Sequence, residues 1–233
     1  MSGPPDLPRR AIKPMSAPTL VLQRARSPAD KDLRRAQLVA AATQLFARAD
    51  FDAVTVARVA ELAGVAKGTA YLYFATKETL FLELVREALA LWLVDLTRRL
   101  GRTRSAQAVP LAIAKGLAQQ RDLRRLLVLL HAVIEPHIDE ATARSFKVFM
   151  RDLLAEVSTL IMRKIPGLTL ADASTLVLQT HALVISLTQL AEPPAVIAKV
   201  MAQDRSLQPM QIEFEPFLAH TLTTLVNGML HNK

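Results

Sequence analysis

Leu38, Ala42, Leu45, Phe46 and Ala49 recur at the three- and four-residue spacing that gathers side chains on one face of an α-helix. Ser27-Pro28-Ala29-Asp30 stands just ahead of them: a capping residue, a proline at the first helical position and an acid in the first turn. Thr55 then caps a short second helix whose apolar face is Val56, Val59, Ala60 and Ala63, and Gly64 ends it by taking the left-handed conformation that other residues avoid. A third helix of about two turns is predicted over 66–74, and Thr76 caps the next, with Glu78 in its first turn. Beyond Lys77 the helical period continues over 77–99, 106–119, 122–136, 139–164, 170–191 and 210–230, with a short extra helix over 195–204. Breaks are expected at Gly101, around Pro136, at Pro166-Gly167 and through Pro193-Pro194. No segment alternates as a strand does and no internal repeat is evident, so the fold class is all-α.

The second and third helices are short and joined almost directly, which forces a sharp crossing and predicts a helix-turn-helix. Such a motif reads DNA with its second helix while neighbouring helix ends and side chains hold phosphates. GVAKGTAYLYFATKETLF, residues 64–81, has the parts. Gly68 and Thr69 are small residues at the front of the third helix, Lys67 adds charge there, and both tyrosines of the chain, Tyr71 and Tyr73, can offer a hydroxyl to phosphate. Phe74 is read as core, and Lys77 opens the following helix beside free backbone amides. The organisation expected is a Pro-rich basic flexible arm over 1–26, a DNA-binding domain over 27–76 and a helical effector-binding and dimerisation domain over 77–233.

Charge sharpens this picture. Residues 1–77 carry 12 Lys/Arg against 6 Asp/Glu, most of the overall net charge of +8, and a localised basic excess suits a polyanion. Arg9, Arg10, Lys13, Arg24 and Arg26 give the arm five cations that can reach a minor groove or phosphates. There is no cysteine, which excludes disulfides and thiolate chemistry and fits a reducing, cytoplasmic setting. Continuous apolar runs such as ALALWLV stop far short of a membrane span, and Lys13, Pro14 and Pro18 interrupt any signal-peptide core, so neither membrane nor export is expected.

TVARVAELAGVAKGTAYLYFATKETLF resembles the DNA-binding signature of the TetR (tetracycline repressor-like) transcriptional regulators in its T-V entry, A-G-V turn, G-x-x-Y-x-x-F helix and K-E-x-L-F exit. The resemblance covers residues 31–81; the rest of the chain agrees in length and helical layout. It implies a homodimer on a two-fold operator in double-stranded DNA. Lys67, Thr69, Tyr71, Tyr73 and Lys77 stand at matching DNA-contacting positions, and Thr55 at a phosphate-contacting helix start. The chain departs from the pattern at Ala57, where some relatives carry a guanine-reading arginine, at Ala66 in place of a capping Ser or Thr, and at Asp50 in place of glycine.

The last two long helices carry apolar residues around much of their circumference and need cover on two sides. Val177, Val184, Leu187, Leu218, Leu222, Leu225 and Met229 are the expected dimer contacts, in a four-helix interface like the family's. Leu91, Trp92, Leu126, Leu130, Phe146, Phe149 and Met150 are the expected lining of a lipophilic effector pocket. His131 and Glu135 lie four apart with His137 beyond. Pro136 disturbs that geometry, and no metal or other cofactor is expected. His181 and His220 are read as hydrogen-bonded core or interface residues. A helical enzyme is the weaker alternative, for want of any nucleophile motif or phosphate loop, and would show a cleft of convergent titratable groups. The other alternative is an architectural DNA-bound protein with the same head and no effector, which effector-dependent release from the operator would exclude.

Overall fold

A computed structural model describes residues 28–231. The expected Ser27 cap and basic arm lie outside the described residues. The first helix, α1 (Pro28–Phe46), is followed by a single 3-10 turn and then by α2 (Val56–Leu62) and α3 (Lys67–Tyr73). These three pack on one another around Leu38, Ala42, Phe46, Val59, Ala60 and Ala70, all buried. Thr55 caps α2 by accepting from the Arg58 amide at 3.2 Å. Gly64 has φ +65°, and the Gly64 and Val65 amides turn back onto the Glu61 and Ala60 carbonyls, which lets α3 leave at a sharp angle.

The helix α4 (Lys77–Arg102) begins at a reciprocal cap in which the Thr76 and Thr79 hydroxyls each accept the other residue's amide. It runs through Gly101 without a break, since the glycine keeps an ordinary helical backbone and Thr103 ends the helix instead. Its first turns bury Leu80, Phe81 and Leu84 under α1, and its later turns bury Leu89, Trp92, Leu96 and Leu100 within a larger helical unit. That unit comprises α5 (Val109–Ala118), α6 (Arg121–Leu129), α7 (Glu140–Lys164), α8 (Leu170–Ala191), α9 (Ala195–Gln203) and α10 (Phe214–His231). The described residues contain no strand.

The single helix expected over 122–136 is regular only to Leu129; a π-turn over Leu130–Ile134 and a 3-10 turn over Glu135–His137 follow. Pro136 has no N–H to donate to the Ala132 carbonyl, and its ring would crowd that group, so the chain widens before it reaches the proline. Asp139 caps α7 through the Thr142 amide, and Thr169 and Asp172 cap α8 reciprocally. Gly167 makes the turn between them at φ +88°.

By length and composition α8 could cross a membrane. In the fold it packs against α6, α7 and α10 and buries Leu176, Val184 and Leu187.

Both C-terminal helices are rotated differently from expectation. Val184, Leu187, Leu218 and Leu222 are buried within the chain, where α10 packs on α5 and α8, rather than on an outward face. Val177, Leu225 and Met229 are half-buried. The outward stripe of α8 is instead Thr175, Leu178, Ala182, Ser186 and Gln189, and that of α10 is Phe217, His220, Thr224, Asn227 and Gly228. Leu178 and Phe217 are 58% and 45% exposed, and Leu190 near the end of α8 is exposed as well; the remaining residues of the two stripes carry no acidic group, lysine or arginine.

Candidate functional site

The outward face of α3 carries Lys67, Gly68, Tyr71 and Leu72, with Thr69 at its edge. Ala70 and Phe74, on the opposite face, anchor the helix in the core. Ala66 stands at the N-cap without a side-chain hydrogen bond, so the front of α3 keeps its amides free of any capping oxygen. A Cβ added to Gly68 would meet nothing within 4 Å, and the residue is helical, so nothing inside the protein calls for glycine there. Leu72 is 84% exposed, more than any other large apolar residue in the described chain, and it lies four residues beyond Gly68 on the same face. Sequence reasoning passed over Leu72, although its place between two tyrosines in the short helix was the available signal. Thr55 is exposed at the start of α2. Tyr73 is half-buried along a polar cleft shared with Arg35 and Arg86.

Lys77 differs from expectation. Its side chain is 19% exposed, its Nζ lies 3.6 Å from the centre of the Phe51 ring and 3.9 Å from Asp52, and burial holds its pKa below the usual lysine value. Its ammonium sits over an aromatic face of the chain itself.

A cavity of about 370 Å³ opens between α4, α5, α6, α7 and α8. Of the residues expected to line it, Trp92, Leu130, Phe146 and Met150 do. Leu91 does not: it is 68% exposed, because Leu89, Trp92 and Leu96 take the inward face of α4 and successive residues turn by about 100°. Leu126 is buried in the core away from the cavity, and Phe149 packs against the Arg86 guanidinium, 5.0 Å from its ring centre.

The cavity has a polar edge. His131 Nδ1 lies 3.0 Å from Glu135 Oε2, Lys147 Nζ donates to Glu135 Oε1 at 2.7 Å, and His131 Nε2 lies 2.9 Å from His181 Nε2. With the His131 Nδ1 proton directed to the carboxylate, its Nε2 is the acceptor for the His181 Nε2–H. His137 turns away to the Val133 carbonyl. Among the described residues no three His or acidic groups converge as metal ligands do.

Burial, and then the neighbouring His131, hold the pKa of His181 below its ordinary value, against a smaller opposing pull from Glu135. The sign follows from linkage: the unfolded chain takes up this proton first as pH falls through about 6.5, so folding stability is lost below that point and unaffected above it. The melting temperature is therefore expected to drop between about pH 7.5 and about pH 5.5 by more in the wild type than in His181→Gln, which keeps a donor and cannot titrate. Equal drops would remove His181 from the pH response.

Two ties between the cavity wall and the α1–α3 unit stand out among the described residues. One is α4 itself. The other is Arg125 on α6, which donates to the Phe46 carbonyl at 2.8 Å and the Ala49 carbonyl at 3.0 Å at the end of α1, and lies 3.3 Å from Asp50. Leu123 and Leu127 of the same helix line the cavity.

Comparison with known proteins agrees with this arrangement. Solved structures of the same fold include the fatty acid degradation regulator FadR from Bacillus halodurans, at 16% identity with 89% of this chain and 98% of that one covered and a TM-score of 0.55. FadR from Bacillus subtilis, in complex with stearoyl-CoA, aligns at 17% identity over 82% of this chain and 96% of its own, with a TM-score of 0.52. The TetR family repressor AlkX from Dietzia, implicated in n-alkane biodegradation, aligns at 14% identity over 90% and 98%, with a TM-score of 0.56. No curated protein sequence matches the chain. Residues 38–84 match the model for bacterial regulatory proteins of the tetR family, and residues 86–233 match the tetracyclin repressor-like C-terminal domain. With the second match alone spanning well over half of the sequence, the chain belongs to the TetR family of transcriptional regulators.

Proposed function

We propose that the protein is a cytoplasmic, non-enzymatic repressor that binds a two-fold operator as a homodimer and is released by a small lipophilic effector. The division proposed is a reading domain over 27–76 and an effector and dimerisation domain over 77–233. The observation that carries the reading is the unbroken course of α4: its first turns are core to the α1–α3 unit and its later turns form the wall of an apolar cavity. A ligand that favours one position of α4 and α6 acts on the head through the same helix and through Arg125. Two heads on one operator require a fixed spacing, so a small shift lowers affinity. The FadR complex with stearoyl-CoA and the link of AlkX to n-alkanes support an effector with an apolar chain.

Candidate contacts to base edges and phosphates are Lys67, Gly68, Thr69, Tyr71 and Leu72, with Thr55 and Tyr73 at the margins of the same surface. The uncharged outward stripes of α8 and α10 are the proposed contact with the second copy.

Selection of bound fragments from random DNA is expected to return a two-fold symmetric site. Lys67→Ala is expected to bind that site several-fold more weakly, with a logarithmic salt slope smaller by about one for each head, since one fewer counterion is released at each. Fragments without symmetry, or an unchanged affinity and slope, would defeat the reading.

A further inference from the structure

The cavity is long and has one polar end. Phe146, Met150, Leu153, Val157 and Ile161 line it from a single stripe of α7, a run of about 22 Å along the helix axis. The charged residues at its wall are confined to one part of it: Glu135 beyond the π-turn, and Lys147 and Arg151 near the start of the α7 stripe. From Leu153 to Ile161 the α7 wall carries no charge. This is the shape of a site for a chain with a head.

The charges choose the head. Glu135 is the one carboxylate at the wall among the described residues, and both its oxygens are taken, by Lys147 and by His131. An incoming cation would find that carboxylate occupied, with the Lys147 ammonium beside it and Arg151 one turn further along α7. Lys147 and Arg151 are one helical turn apart on the same face, and their side chains are 60% and 70% exposed. Each has a single acidic partner, Glu135 for Lys147 and Asp152 for Arg151. Among the described residues, the ammonium and the Arg151 Nη1 therefore keep donors without a protein acceptor. We propose that the cavity takes a single-chain lipophile with an anionic head, the chain lying along α7 and the head held by Lys147 and Arg151. This rests on reading the cavity as the effector site and adds the chemical class of the effector.

Trp92 is the only tryptophan in the chain and lines the cavity, so its emission reports occupancy without DNA present. The full chain is titrated with dodecanoate, dodecan-1-ol and dodecyltrimethylammonium below their micellar concentrations, with calorimetry as a second measurement. Dodecanoate is expected to saturate and to bind about ten-fold more tightly than the alcohol, with the ammonium weakest. In the Lys147→Gln, Arg151→Gln double variant, dodecanoate is expected to lose its preference over the alcohol. No saturable dodecanoate binding by either measurement, equal affinity for the three heads, or a double variant that still prefers dodecanoate would overturn the proposal. A chain that selects a symmetric operator yet fails these titrations loses the ligand class and keeps its regulatory reading. A chain that passes them without releasing operator keeps the ligand class and loses the effector role.

Discussion

Leu222→Glu is expected to unfold the protomer, whereas Thr224→Arg, two positions along the same helix, is expected to leave it folded and separate it from its second copy. Leu222 is fully buried among apolar residues where α10 packs on α5 and α8. An uncompensated charge at such a site costs several kcal/mol, roughly 3–5, a large share of the stability of a domain. Thr224 lies on the outward stripe with Phe217, His220, Asn227 and Gly228, where an arginine meets only water in the monomer. In a symmetric pair the same substitution places two guanidinium groups against a small, uncharged face, and each copy repels the other. Light scattering should therefore give a dimer for the wild type and a monomer for Thr224→Arg, with far-UV circular dichroism retained. Operator affinity should fall by about a hundred-fold or more, because one head then binds one half-site alone. A Thr224→Arg protein that remains dimeric would move the interface to another face.

This contrast marks what the chain discloses in one dimension. Helix positions were legible because caps and glycines act locally: Thr55, Gly64 and Thr76 each do what their chemistry dictates within a few residues. The rotation of a helix was not legible where apolar residues surround it. On α8 and α10, Val184, Leu187, Leu218 and Leu222 fit a partner-facing stripe as well as an inward one, and only the packing against α5, α6 and α7 decides. The run Leu89, Leu91, Trp92, Leu93, Val94, Leu96 on α4 likewise conceals that Leu91 faces solvent.

Contacts between distant residues left no local trace. His131 and His181 are 50 positions apart, and Arg125 is more than 70 residues from the carbonyls it holds at the end of α1. Lys77 reads as a phosphate ligand from its place at a helix start. Phe51 takes its charge because the 3-10 turn before α2 brings that ring beneath it.

The surface of α3 gives the second large effect, and here stability and function move in opposite directions. Gly68→Ala should stabilise the fold by about 0.5–1 kcal/mol, since alanine is the better helix former and its methyl meets no atom within 4 Å. Gly64→Ala offers the opposite case four residues earlier: its φ of +65° strains any side chain, so that change should destabilise by about 1 kcal/mol. If the protein alone selected its residues, Gly68 would gain nothing by remaining glycine. Its place at the front of α3, beside Lys67 and under the exposed Tyr71 and Leu72, instead suits a close approach of the helix to base edges, which an added methyl would hold apart. Operator affinity is therefore expected to fall about ten-fold in Gly68→Ala and about a hundred-fold in Gly68→Leu, as the loss of one and then several close contacts requires. Thermal melting of the same two proteins should show no loss of stability. Fluorescence anisotropy on the selected operator decides the matter: a Gly68→Leu protein that melts normally and binds with wild-type affinity would mean that this face of α3 does not lie against the DNA.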